Sequence, residues 1–122
     1  MSATVIHDLA AELPPAGDRT LSHVLYRDDR LRVVGFSFAE GQELTEHTSA
    51  LPVVIQVVRG RLALDLGGER TEAGPGSWIH LPARLPHSVR AVEPSVMLLT
   101  VLPVPEPSAP GDADAGTDSD AP

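Results

Sequence analysis

Five histidines and no cysteine bound the chemistry open to this 122-residue chain. Without cysteine there is no disulfide framework, no thiolate metal site and no cysteine nucleophile. His47 lies two residues before Ser49, and His87 follows the Pro-bounded loop 82–86. Imidazoles in such settings can hold a transition metal, move a proton or orient a polar ligand. His80 alternates with Ile79 and Leu81, which makes it a third candidate for the same pocket, although alternation alone does not say which face of its strand looks inward. His7 and His23 have no partner pattern and read as structural. A serine nucleophile is poorly supported: Ser49 reaches His47 only if the two side chains converge, and no carboxylate is placed to orient the imidazole. No Gly-rich phosphate loop opens a helix either, because the glycines sit in turns.

The elements that must position these residues read as strands. From Leu21 onward short runs rich in Val, Leu and Ile recur between turn residues, the pattern of an all-β sandwich or barrel. Strands are expected over 21–27 and 30–38, joined through Asp28-Asp29, then over 52–58, 61–66, 69–73, 77–81, 89–92 and 96–102. Gly41 begins a polar connection between the second and third of these. The first twenty residues, cut by Pro14, Pro15 and Gly17, form an N-terminal arm that is either a short helical turn or extended. Residues 103–122 carry too little apolar surface to offset their ordering entropy and read as a disordered acidic tail, which leaves one barrel domain over 21–102.

Charge and composition narrow the partners. Five of the negatives behind the net charge of -8 fall after Leu102 (Glu106, Asp112, Asp114, Asp118 and Asp120). The nine cations are all Arg, spread from Arg19 to Arg90 rather than gathered, so no nucleic-acid footprint is present. No leader pattern and no apolar run of membrane-spanning length is seen, and a cytoplasmic protein that binds no membrane is the expectation. Aromatic residues are scarce, so the core must be aliphatic, and its β-branched members suit pleated strands.

Two glycine-anchored segments then stand out. Gly41, His47 and Gly60 define the first, and Gly76, Pro82 and His87 the second. At this spacing they resemble the two signature motifs of the cupin superfamily, over roughly residues 21–102. The resemblance implies an antiparallel cupin-type barrel, a double-stranded β-helix or jelly roll, with its site at the mouth. In metal-binding cupins the ligands are two histidines and a glutamate of the first motif and the histidine of the second; the matching positions here are His47, Ser49, Val53 and His87. Residues two apart on a strand share a face, which is why the family pattern directs two imidazoles into one pocket. Ser49 offers only a neutral hydroxyl, and His47 with His87 falls short of the three protein ligands usual for catalytic zinc or of two His and one carboxylate for iron. Gln56, three residues from Val53, faces away from the pocket if the strand is unbroken, while Ile55 and Val57 face in. Arg84 and Ala91 replace the Gly and Asn of the second motif, and Glu43, Glu46 and Arg84 read as rim charges.

Three functions fit these residues. The first is a metal-free or weakly metal-binding barrel that holds a small molecule, with His47, Ser49, His87 and His80 as its polar groups. The second is a dioxygenase- or isomerase-type enzyme in which His47 and His87 ligate Fe, Mn, Ni or Zn. The third is a degenerate domain used in assembly. A homodimer is expected in each case, since strand 53–58 is apolar on both faces and cupins commonly cover the outer one with a second subunit.

Overall fold

The computed structural model describes residues 2–13 and 16–102, and of residues 46 and 47 the backbone. The expected tail over 103–122 lies outside them. Among the described residues a 3-10 turn, Ala10–Glu12, precedes nine strands: β1 (Thr20–Arg27), β2 (Arg32–Phe38), β3 (Glu43–His47), β4 (Val53–Arg59), β5 (Leu62–Leu66), β6 (Glu69–Ala73), β7 (Trp78–Leu81), β8 (His87–Ala91) and β9 (Ser95–Val101). They form two antiparallel sheets, ordered β1-β2-β9-β4-β7 and β3-β8-β5-β6. This is the expected all-β barrel. Among the described residues no helix is long and apolar enough to cross a membrane.

The inward faces of the two sheets share one core. Phe38, Val53, Ile55, Val57, Leu81, Met97 and Val101 come from the first sheet, and Leu62, Leu64, Ala73, Val89 and Ala91 from the second. Period-two alternation places them there: Ile55 and Val57 are buried while Gln56 between them is exposed, so β4 runs unbroken at this point, as its sequence implies. The barrel is filled by these side chains, as small barrels are.

One strand departs from expectation. Residues 43–47, read as part of a polar connection, form β3 and pair with β8. Leu44 is the one apolar residue of the five, so the strand carries almost no hydrophobic period of its own and is held by its ladder to β8.

At the opposite end of the barrel from residues 47 and 87, Gly60 turns the chain from β4 into β5 at φ +87°. A Cβ there would collide with Ser95 Oγ and the Pro94 carbonyl. Only glycine fits both the backbone angle and that approach. Ser95, itself buried, fastens the turn by accepting from Arg61 N at 2.9 Å and donating to the Glu93 carbonyl at 2.7 Å.

The outer face of the first sheet is partly covered by the chain's own arm. Leu13, only 7% exposed, lies over Gly35 so closely that a Cβ on Gly35 would come within 2.8 Å of its Cδ1. That cover reaches the β1-β2 side. On the β7 side Gln56, Trp78 and His80 remain exposed.

Candidate functional site

The registers define the mouth. Val53 pairs with Leu81 and with Val101, Leu66 pairs with His87, and His87 pairs with His47. The last two residues, 40 positions apart in sequence, are thus brought side by side where β3 ends and β8 begins. Leu66, which pairs with His87, and Leu85, whose carbonyl bonds its ring, pack against the core cluster together with Leu51, so this end of the barrel is apolar on its core side.

His87 is only 5% exposed. Its Nδ1 lies 2.9 Å from the Leu85 carbonyl oxygen. A carbonyl only accepts, so Nδ1 carries the proton of this bond. A metal-ligating histidine is commonly oriented by such a bond, and the same arrangement serves a histidine that accepts from a ligand hydroxyl or amine.

The other family ligand positions do not supply metal donors. Ser49 is turned into its own loop, where its hydroxyl donates to the Leu51 carbonyl at 2.9 Å and accepts from Leu51 N at 3.2 Å. Val53 is buried in the core at 2% exposure. Among the described residues no cluster of three or more His, Cys, Asp or Glu could hold an ion. Catalytic zinc takes three protein ligands and non-haem iron two His and a carboxylate, so the two-histidine set does not fit such a metal.

His80 does not join the mouth. Ile79 and Leu81 take the inward positions of β7, and His80 is exposed on the outer face, its ring stacked on that of Trp78 at 6.5 Å between centroids. The ligand role expected of it is corrected on this point: alternation with Ile79 and Leu81 left the facing open, and burial of those two apolar side chains decides it.

Arg84 was read from the sequence only as a rim charge. It occupies the third position of a four-residue turn closed by Leu85 N donating to the Pro82 carbonyl at 3.3 Å, with φ +70°. A turn with positive φ at that position is the kind that calls for glycine, the residue the family motif has there. Arg84 is the only non-glycine residue with positive φ among those described. The left-handed conformation costs an L-residue ~1–2 kcal/mol. Its own N–H donates to the Ser49 carbonyl at 2.7 Å, which ties this turn to the segment following β3. The departure from glycine was visible in the sequence; that the backbone kept the glycine conformation was not.

With this geometry the comparisons agree. The cupin domain profile matches residues 36–102, and the chain belongs to the cupin family. Its fold is similar to that of the conserved SPY1581 protein of unknown function from Streptococcus pyogenes, at 29% identity and TM-score 0.75 over 89% of this chain and 93% of that one. A cupin superfamily protein from Desulfitobacterium hafniense matches at 22% identity and TM-score 0.73, covering 77% and 86% of the two chains. KdgF from Halomonas sp. matches at 24% identity and TM-score 0.65, covering 70% and 81%. No curated protein matches the chain by sequence.

Proposed function

We propose that the barrel mouth binds a small organic molecule without a catalytic metal, using His87 and His47 as its polar groups at an end of the barrel that is apolar on its core side. The observation that carries this reading is His87: a buried imidazole at the mouth, fixed through Nδ1 by the Leu85 carbonyl. Because the interior is filled by residues such as Phe38, Ile55 and Met97, the ligand rests on the core at the mouth rather than deep in the barrel.

The test is a fragment library followed by ligand-observed NMR, with imidazole resonances of His47 and His87 as the protein-side readout. Fragments that shift those resonances and are lost in His87→Ala support the reading. Elemental analysis of protein purified without added metal supplies the counter-test. Near-stoichiometric Fe, Mn, Ni or Zn that disappears in a His47→Ala, His87→Ala double variant overturns it in favour of a metal-dependent cupin enzyme.

A further inference from the structure

We propose that a cleft at the end of the barrel opposite the mouth, between the N-terminal arm and the outer face of the first sheet, binds a small extended zwitterion, a molecule whose amino and carboxylate groups are held apart by an apolar chain. The proposal is independent of the one made for the mouth.

The cleft has a volume of about 670 Å³, the size of a small-molecule site. Leu13 of the arm lines one side, and the ends of β2 and β4 with the start of β9 line the other. A row of residues runs across these three strands: Ser37 of β2 pairs with Val96 of β9, and Val96 pairs with Arg59 of β4. Phe36, Phe38 and Met97 take the inward positions, so Ser37 and Val96 face outward, toward the cleft they line. Strict alternation from Val53, Ile55 and Val57 would send Arg59 inward. The register shift between Val57 and Arg59 instead sets it opposite Val96 on the outer face.

Ser37 is the group that points to a ligand. It is only 4% exposed, and among the described residues its hydroxyl makes no hydrogen bond. A buried polar side chain without a partner is rare in a folded protein, and this one lies at the base of a cleft. The charges around it are sorted by sign. The Ala39 N–H donates to the Arg19 carbonyl at 3.1 Å, carrying the pairing of β1 and β2 one step beyond Thr20 and Phe38, and the next residues, Asp18 and Glu40, both line the cleft on that side. Arg59 lines it two strands away from β2, about 10 Å at the usual strand spacing. Among the described residues none of these three is in an ion pair. An ammonium carries three N–H donors, which the two carboxylates and the Ser37 hydroxyl can accept. The Arg59 fork suits a carboxylate at the other end, and Leu13 and Val96 suit the chain between the two.

The experiment titrates 6-aminohexanoate, hexylamine, hexanoate and 1-hexanol into the full chain at low ionic strength, followed by NMR shifts at the Ser37 and Val96 amides. The parent should bind 6-aminohexanoate at least fivefold more tightly than hexylamine or hexanoate, and 1-hexanol most weakly. Arg59→Met should reduce 6-aminohexanoate to the level of hexylamine, and Asp18→Asn combined with Glu40→Gln should reduce it to the level of hexanoate. Ser37→Ala should weaken both amines at least threefold and leave hexanoate unchanged. It should also melt no lower than the parent, because the hydroxyl it removes bonds nothing in the free protein. His87→Ala should alter none of these affinities.

Binding of 6-aminohexanoate no tighter than 1-hexanol overturns the proposal, as does undiminished binding in Arg59→Met or in the acid double variant. A lower melting point for Ser37→Ala shows that the hydroxyl serves the fold, and overturns it by another route. Loss of binding in His87→Ala assigns the ligand to the mouth and removes it from the cleft. If no probe shifts Ser37 or Val96, the cleft is not a site, and the reading of the mouth is untouched.

Discussion

Asp28 closes the connection between β1 and β2 almost alone. Its carboxylate accepts from the Tyr26 hydroxyl at 2.6 Å and from the amides of Arg30 and Leu31 at 2.7 and 3.0 Å. The phenol bond, then the two amides, hold this carboxyl below the usual aspartate range, and the same bond raises Tyr26. For the depressed acid, the linked stability is present above the ordinary aspartate pKa and is lost as pH falls through the lower folded value. For the raised phenol it is present below the ordinary tyrosine pKa and is lost as pH rises through the folded value. Carbon-detected titration of Tyr26→Phe should find Asp28 returned toward the ordinary range; an unchanged Asp28 would rule out the phenol as the leading cause. Gly60 makes a sharper prediction. Gly60→Ala should cost ~3 kcal/mol in urea melts, since the new methyl meets backbone that cannot move aside. Ser95→Ala, which strands the Arg61 amide at the same turn, should cost about 1–3 kcal/mol.

At the scale of elements the arm is the test piece. Leu13→Ala removes the side chain seated over Gly35 and should destabilise the domain by ~2 kcal/mol, the low end for a buried leucine because an outer sheet surface can relax inward. A change below about half a kcal/mol in denaturant melts would mean the arm is not docked. This contact also shows where reading the sequence reaches its limit. Strands such as β4 and β9 are dense in β-branched and aliphatic residues and announce themselves, whereas β3 has one apolar residue and exists through pairing with β8, a long-range fact. The two glycine-anchored segments located the mouth and paired His47 with His87 across 40 residues. They could not orient His80, because strict alternation is equally consistent with either face. Nor could they show that Leu13 folds back over Gly35, since nothing local to either residue encodes that meeting.

For the whole molecule, the outer face of the five-stranded sheet bears on the expected dimer. The arm shields the β1-β2 side, and the β7 side still presents Trp78, 61% exposed, beside Gln56 and His80. We expect two copies to associate through this side. Light scattering at micromolar concentration should give a dimer mass and Trp78→Glu a monomer, while a monomeric parent would remove the expectation. Deleting residues 103–122, which have no apolar period to dock, should move Tm by no more than a few degrees. Trp78 is also the chain's single tryptophan, and it stands outside the core on a strand at the sheet edge. In an isolated subunit its indole is already largely in water, so its emission colour should scarcely change when that subunit unfolds. Association, by contrast, would take the indole out of water. Denaturant added to dissociated subunits should therefore leave the emission almost unchanged, whereas raising the concentration into the associating range should shift it.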